Sequence, residues 1–265
     1  MAEAAALIHS QLGPGKDELA FLAKHLVQVT LPHSDPGNVE LWSRTNGNFT
    51  LSIVRVQRDP NTNRLIGYPY GTIPRLLLYW MTSEAVRTGS RTIKLGSTLS
   101  QFMKEVGLNP ETGGGKRGDA VRLREQMARL FAASISFQYA EDGQGTSWLN
   151  MPVTRRAQLW WNPKNLHQGN LFESWIELGE DFFEAITSSP VPLDTRALKA
   201  LNHSALALDL YAWTTYKAHV LTVKRDSQFV SYADLQTQLG SEYNDIKNFK
   251  KKLHVALKQV RVIYP

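Results

Sequence analysis

The chain has 265 residues and no cysteine, an absence that excludes several kinds of chemistry at once. Disulfide bonds, thiolate metal sites and cysteine nucleophiles all require a residue that the chain does not contain. No apolar run in the sequence approaches the ~20 residues needed to span a bilayer. Residues 1–11 include a short alanine run without a basic lead or a long apolar core, so they do not resemble a secretory signal. We therefore expect a cytoplasmic protein without a membrane partner.

The motifs of common enzyme classes are lacking as well. Lys116 comes after three glycines but is followed by Arg117 rather than by serine or threonine, so this segment is not a phosphate-binding loop. No two of the seven histidines lie within four positions of each other, which argues against a helical zinc-protease signature and against the paired-histidine metal motif of nicking nucleases. We therefore predict that the protein is not an enzyme and has no catalytic residues, no metal and no cofactor.

The composition favours a folded protein with an anionic partner. Hydrophobic residues make up 42% of the chain and charged residues 20%, which is typical of a globular core. Thirty lysines and arginines stand against 24 aspartates and glutamates, giving a net charge of +6. Such an excess is compatible with nucleic acid but does not identify it.

The first part of the chain is predicted to be rich in strands. Residues 1–16 are expected to form a flexible arm that ends at Gly13-Pro14-Gly15. A helix is expected at residues 17–25, and β-branched residues between proline, glycine and asparagine turns predict strands at 25–31, 39–43 and 48–56. Hydrophobic periodicity then predicts, in order, a helix, a strand, two helices and two strands: 74–88, 92–95, 98–106, 116–133, 134–139 and 147–160.

The second part of the chain repeats much of this order. A connecting segment is predicted to contain a strand at 172–178, a helix at 180–187, a stop at 189–192 and a short helix near Leu198. The elements predicted after it are a helix, a strand, two helices and a strand: 205–220, 229–231, 232–239, 245–260 and 261–264.

The shared order predicts an internal duplication and a fold class. Residues 76–80 (LLLYW) match 208–213 (LDLYAW), and a helix–strand–helix–helix–strand order with a hairpin is typical of a winged helix. The expected fold is α+β, with two tandem winged-helix domains at 17–165 and 166–265, the first carrying an N-terminal β-rich extension. The second half has one wing strand, so either the natural chain extends past Pro265 or its wing is incomplete. Unrelated tandem helical domains remain an alternative.

The last predicted helix carries the clearest functional pattern. Its predicted buried stripe is Ile246, Phe249, Leu253, Leu257 and Val260. Roughly 120° away on the helix lies a basic arc with no acidic residue in the helix to oppose it. Because this is the position of a winged-helix recognition helix, DNA contact is predicted for Asn244, Lys247, Asn248, Lys250, Lys251, His254 and Lys258. The alternative is a solvated helix face.

The corresponding helix of the first half is a weaker candidate. Its predicted buried residues are Ala120, Leu123, Met127, Leu130 and Phe131. Arginine and glutamine suit the edges of guanine and adenine, whereas lysine suits phosphates. The predicted contacts are therefore Arg122, Gln126 and Arg129, with Lys116 and Arg117 at the helix entrance and Arg155 and Arg156 on the second wing strand. Surface salt bridges are the alternative, including one between Glu125 and a nearby arginine.

Five segments of the sequence carry a further signal. They are 70–88 (YGTIPRLLLYWMTSEAVRT), 95–103 (LGSTLSQFM), 122–127 (RLREQM) with Leu130 and Phe131, 189–194 (SPVPLD), and 208–211 (LDLY) with Trp213. Together they resemble the plasmid-encoded RepA family of replication initiators. The resemblance covers about residues 70–265, and residues 1–65 have no counterpart in it.

The resemblance implies a bacterial protein with tandem winged helices that binds directly repeated sequences, called iterons, in double-stranded plasmid origin DNA. It also implies recruitment of the host replication initiator and the replicative helicase, and copy-number control through a homodimer. It does not identify base contacts. Family members usually continue beyond a strand such as 261–264, which again leads us to expect a natural chain longer than this one.

Three other functions stay open at this stage. A winged-helix transcriptional regulator or autorepressor would bind a single palindromic site rather than repeats. An interaction module would use the same helices on other proteins. An origin-nicking enzyme would need a nuclease motif, which the sequence lacks.

Overall fold

The computed structural model describes residues 1–10, 13–112, 118–141, 145–161, 165–169, 172–240 and 242–264. The helices in these ranges are α1 (Ala2–His9), α2 (Lys24–Gln28), α3 (Thr72–Thr88), α4 (Leu99–Glu105), α5 (Asp119–Phe131), α6 (Glu180–Thr187), α7 (Thr195–Leu201), α8 (Ala205–Lys224), α9 (Tyr232–Leu239) and α10 (Ile246–Ile263). The strands are β1 (Leu19–Ala23), β2 (Trp42–Asn46), β3 (Phe49–Arg55), β4 (Thr92–Gly96), β5 (Ala133–Glu141), β6 (Gly145–Pro152), β7 (Thr154–Gln158), β8 (Ser174–Leu178) and β9 (Pro190–Asp194). Among the described residues, no helix is both long and apolar enough to cross a membrane.

The strands of the described residues form small antiparallel sheets. One has the order β2-β3-β5-β6, a second β4-β8-β7, and β1 pairs with β9. The last two sheets each join strands from before and after residue 165. The division of the chain at that residue into two domains stays a prediction, and strand pairing links the two ranges across it.

The core is built around α3 and the first half of α8. Helix α3 is buried on nearly every side, from Ile73 to Tyr79, and contacts α5, α6, α8 and β1. This explains why residues 73–81 of α3 are apolar on all sides of the helix apart from the buried Arg75. Residues 206–212 of α8 are buried in the same way, and the Tyr79 hydroxyl donates to the Leu208 carbonyl oxygen at 3.4 Å. The two matching segments noted in the sequence therefore pack together in one core.

A buried ion pair joins these two helices. Arg75 donates from Nε to Asp209 Oδ1 and from Nη2 to Asp209 Oδ2, both at 2.7 Å. Only 3% of the Arg75 side chain and 5% of the Asp209 side chain are exposed. The remaining guanidinium N–H groups donate to the main-chain carbonyls of Leu31, Pro32 and Gly71. A bidentate pair of this kind fixes direction as well as distance between the helices.

His33 completes this buried cluster. Its Nε2 lies 2.8 Å from Asp209 Oδ2. Burial lowers the pKa of His33, and the charge of Arg75 adds to this, against the opposing effect of the hydrogen bond to Asp209. Burial alone would raise the pKa of Asp209, but Arg75 and the hydrogen bond from His33 outweigh it and hold that pKa well below its ordinary value. Asp209 is therefore the anion of the cluster and Arg75 its cation.

The N-terminal prediction was wrong in two places. In place of the arm predicted for residues 1–16, residues Ala2–His9 form α1, which contacts α7 and α10. In place of a helix at 17–25 the chain forms β1, and α2 replaces the first part of the strand predicted at 25–31. Leucine and alanine favour a helix locally, but residues 19–23 gain a partner strand in β9, and tertiary pairing overrides propensity.

The C-terminal strand predictions were also wrong. Residues 229–231 are irregular, Phe229 is 93% exposed, and no strand pairs with this segment within the described part of the chain. Residues 261–263 continue α10, because Val260 and Ile263 extend its buried stripe and the Ile263 carbonyl lies 3.3 Å from His9 Nε2 of α1. Residues 189–192, predicted as a stop, lie largely in β9, where an edge strand tolerates Pro190 and Pro192.

Several central elements agree with the sequence analysis. Helices α3, α4, α6 and α9 and strand β4 begin and end within two residues of their predicted bounds. The predicted strand at 147–160 is two strands, β6 and β7, separated at Val153. The mixed α and β class is confirmed. The tandem winged-helix architecture is not, because within the described residues the part from α8 onward is helical and β4 lies in a different sheet from the β5–β6 hairpin.

Replacing Arg75 by methionine should destabilise the protein by about 3–5 kcal/mol, because the substitution leaves the buried Asp209 carboxylate without its cation. Denaturant unfolding followed by circular dichroism measures the change. Arg87 lies on the same helix, pairs with Glu84 and is exposed, so Arg87→Met should cost less than about 1 kcal/mol. Equal losses in the two variants would contradict a special role for the buried pair.

Stability should fall as the pH drops below about 6.5, the ordinary pKa of histidine. The folded-state pKa of His33 lies below that value, so in acid the unfolded chain binds a proton that the folded chain does not. One such proton corresponds to about 1.4 kcal/mol per pH unit. Urea unfolding between pH 7 and pH 5 should show a weaker pH dependence for His33→Gln than for the parent chain. The exposed His219→Gln variant should keep the parental dependence, and an unaltered slope in His33→Gln would count against the assignment.

Candidate nucleic-acid interface

Helix α10 begins within one residue of its predicted start, and three of the five residues of its predicted stripe are buried. Asp245 is the N-cap, and its side chain accepts a hydrogen bond from the Lys247 N–H at 2.8 Å. Gly240 lets the preceding turn approach the helix, since a Cβ atom there would lie 2.6 Å from the Phe249 ring. The buried face contacts α8, α9, α1 and α7 and consists of Phe249, Leu253, Ala256, Val260 and Ile263. The predicted Leu257 is 37% exposed, and Ala256 takes its place in the stripe.

The basic arc of α10 lies on the solvent side of the helix. Its side chains are all exposed, and we call this set the α10 basic ridge: Lys247, Lys250, Lys251, His254 and Lys258. Within the described residues, none of these four lysines has a carboxylate within ion-pair distance. Lys252 also lies on α10 and is exposed, but about 150° around the helix from the centre of the ridge. Lysines that repel one another on one face are suited to an anionic partner.

Tyr232 adds an aromatic group to the ridge that the sequence analysis missed. It starts α9, lies with its ring 4.7 Å from Lys250 Nζ, and its hydroxyl is 3.3 Å from His254 Nε2. The contact depends on how α9 and α10 cross, so the helix pattern of neither segment indicates it. Asn244 and Asn248 are also exposed, in the turn before α10 and in its first turn.

Arg122 of α5 is exposed, as its sequence position predicts. Its Nη1 donates to Asp119 Oδ1 at 3.1 Å, one turn earlier on the same helix, and its side chain is 54% exposed. A surface pair at this spacing is weak and exchanges readily with a phosphate or a base edge. Lys116 and Arg117, predicted at the entrance of this helix, lie outside the described residues.

Gln126 and Arg129 of α5 are bound within the protein. Gln126 is buried, and its Oε1 accepts a hydrogen bond from the Tyr70 N–H at 2.9 Å. Arg129 pairs with Glu125 at 2.6 Å and with Asp35 at 3.0 Å, and its guanidinium lies 5.0 Å from the Tyr70 ring. Burial lowers the pKa of Arg129, but Asp35 and Glu125 raise it above its ordinary value. Neither side chain is free to read a base in this arrangement.

Arg155 and Arg156 lie on β7 and are exposed, at 58% and 65% of their side chains. Both lie near Glu177 of the neighbouring strand β8, at 3.5 Å and 3.8 Å. Arg91 also lies 3.3 Å from Glu177 and pairs with Glu180 at 3.2 Å. Three guanidinium groups therefore face two carboxylates, which leaves a positive excess at this edge of the sheet. Within the described residues, no group of three or more acidic or histidine side chains is arranged to hold a metal ion.

Two crystal structures of domains 2 and 3 of RctB have a similar fold. One gives a TM-score of 0.52 at 10% sequence identity, over 88% of this chain and 82% of the RctB chain. The other, of a selenomethionine derivative, gives a TM-score of 0.51 at 10% identity, over 86% of this chain and 80% of that chain. At such low identity the similarity establishes a shared fold and nothing about function.

The sequence match is more specific. Residues 68–234 match the family model described as plasmid encoded RepA protein. The match covers more than half of the chain, so this chain belongs to the family of plasmid-encoded RepA proteins, as the sequence segments predicted. Family membership supports a role as a replication initiator. A comparison with curated protein sequences found no match.

Replacing Gln126 by alanine should destabilise the fold rather than change DNA selectivity. The substitution leaves the Tyr70 N–H without its acceptor, which costs about 1–3 kcal/mol when the group is buried. The matched control is Arg124→Ala, an exposed change on the same helix that should stay within about 0.5 kcal/mol of the parent. Thermal unfolding gives the stabilities, and duplex binding is measured well below the unfolding transition. A stable Gln126→Ala protein with altered base preference would contradict this prediction and indicate that Gln126 contacts bases.

Proposed function

We propose that the protein is a non-enzymatic plasmid replication initiator that binds duplex origin DNA through the α10 basic ridge. The observation that carries this proposal is the exposure of that ridge, opposite a fully packed stripe on the same helix. Membership in the plasmid-encoded RepA family supplies the biological setting.

The chemistry of the ridge fits a phosphate backbone. Four lysines along about three turns of helix match a row of phosphates better than one anionic ligand. Lys250 is held over the Tyr232 ring, which limits its motion without cancelling its charge. Asn244 and Asn248, close to the start of the helix, would contact bases or phosphates as α10 enters a groove.

The second contact in the proposal comes from α5. Arg122 is retained as a base or phosphate contact, and Arg155 and Arg156 as phosphate contacts from β7. Gln126 and Arg129 are removed from the contact set, because both are engaged inside the protein. Two helices entering the major groove about one turn apart would cover a site of roughly 20 base pairs.

The finer parts of the function rest on the family resemblance. We propose that the bound sites are directly repeated iterons, that α5 and α10 act as the two recognition helices, and that the protein recruits the host initiator and replicative helicase. Copy-number control through a homodimer belongs to the same set of proposals. Opening of the origin would come from DNA bending and recruitment rather than from a nucleotide-driven step.

Changing Lys251 to glutamate should weaken binding to every duplex, selected or random, because it puts a negative charge in the row that faces phosphates. Lys252→Glu is the matched control, with the same change in net charge on the same helix but off the ridge. Fluorescence anisotropy at 50 to 200 mM salt measures both. If about six phosphates are neutralised, parental affinity should fall on the order of a thousandfold across this range.

Two outcomes of that titration would contradict the proposal. Equal losses in Lys251→Glu and Lys252→Glu would mean that net charge, and not the ridge, governs binding. A Lys251→Glu protein that binds as tightly as the parent would mean that the ridge is a solvated face.

The main rival is a transcriptional regulator of similar architecture. Selection of bound fragments from plasmid DNA distinguishes the two, since an initiator should recover directly repeated sequences and a regulator a single palindrome at a promoter. Incubation of supercoiled plasmid with Mg²⁺ tests the nicking alternative, for which a nick or a covalent adduct would be positive evidence.

A further inference from the structure

A second ion pair, between a buried arginine and a partly exposed glutamate, holds the residues just before α10 to the N-terminal part of the chain. Glu242 is one of these residues, and its Oε1 accepts hydrogen bonds from Arg44 Nη2 of β2 and from the His33 N–H, the latter at 3.3 Å. Gln238 of α9 donates to the Gln28 carbonyl at 2.8 Å. Polar contacts therefore join α9 and the residues before α10 to β2, to α2 and to the segment between them.

The Arg44 side chain is buried beside Glu242. It is 0% exposed, whereas Glu242 is 21% exposed. The guanidinium also donates to Thr30 Oγ1 and to the Leu31 carbonyl, and it lies 5.2 Å from the Trp42 ring. Burial lowers the pKa of Arg44, against the carboxylates of Glu242 and Asp209. If Glu242 moved away, Arg44 would lose the carboxylate in direct contact with it.

The pair adds a directional contact to the apolar packing of α10. The apolar stripe of α10 supplies contact with α8 and α9, but apolar contacts do not specify direction. A hydrogen-bonded ion pair does specify direction. Glu242 lies three residues before Asp245, the N-cap of α10, so its ion pair is close to the start of the helix. His33 links this pair to the Arg75–Asp209 pair, since its main-chain N–H contacts Glu242 and its ring contacts Asp209.

We propose that the Arg44–Glu242 pair is a positioning contact that fixes the angle and phase of the α10 basic ridge relative to α5. The proposal rests on the DNA-binding function proposed above, because the reason for fixing the ridge is to present two helices to one duplex. Glu242 and Arg44 do not touch DNA in this scheme.

The absence of cysteine allows a direct measurement of this geometry. Ala128→Cys on α5 and Val255→Cys on α10 place one spin label on each helix at exposed positions outside the proposed DNA contacts. Pulsed electron paramagnetic resonance should give one narrow distance in the otherwise parental chain. Glu242→Leu should broaden or shift that distance while far-ultraviolet circular dichroism stays unchanged.

Two further variants keep the measurement interpretable. Glu242→Gln retains an acceptor for Arg44 and the His33 N–H, so it should fold even if the leucine variant does not, and it should broaden the distance less. Glu40→Gln removes the same charge at an exposed position and should leave the distance unchanged. Narrow, unshifted distances in both Glu242 variants would overturn the proposal.

Binding to the duplex recovered by the fragment selection gives the second readout. If the loosened α10 occupies its binding orientation about a tenth of the time, the affinity of Glu242→Leu should fall on the order of tenfold. Insertion of five base pairs, about half a helical turn, in the centre of the site should lower the duplex affinity of the parent by a larger factor than that of this variant. Equal sensitivity of the two proteins to the insertion would count against positioning.

Failure of the two proposals can be told apart. A broadened distance in Glu242→Leu, with no duplex bound by the parent, would leave the positioning contact in place and remove the proposed function. Duplex binding by the parent with unchanged distances in every Glu242 variant would keep the function and remove the positioning contact.

Discussion

The buried ion pair between Arg75 and Asp209 is the contact on which the arrangement of the molecule depends. It joins α3 and α8, the two helices at the centre of the core, and removes both charges from water. Because either charge alone would be costly to bury, the helices must pack in the register that brings the two side chains together. The pair also hydrogen-bonds to the carbonyl oxygens of Leu31 and Pro32 and to the ring of His33, so it holds the N-terminal segment against the core.

The surface proposed to bind DNA follows from this packing. Helix α10 lies against α8 and α9 through one stripe, and the turn before it is tied by Glu242 to Arg44 and His33. Its lysines are left on the solvent side with no carboxylate within ion-pair distance among the described residues. On α5, by contrast, a basic side chain has carboxylate partners. Arg129 pairs with Asp35 and Glu125 and is held inside the protein, so the first helix presents a smaller basic face than the second.

The α10 ridge could be predicted from the sequence because helix geometry alone places it opposite the apolar stripe. Which α5 side chains are exposed could not be predicted in the same way. Gln126 and Arg129 lie on the expected side of the helix, but their partners, the Tyr70 N–H and Asp35, are far away in the sequence. Tyr232 was missed for the same reason, since its contact with His254 depends on the crossing of two helices.

By itself the sequence determined the helices α3, α4, α6 and α9, the basic face of α10 and the family of the protein. Periodicity, capping residues and short motifs act over a few residues, so they can be read locally. Only the tertiary structure decided that residues 19–23 pair as a strand with β9 and that residues 261–263 continue α10 and contact α1. A strand needs a partner and a buried charge needs a counter-charge. Both partners come from distant parts of the chain, where no local pattern identifies them.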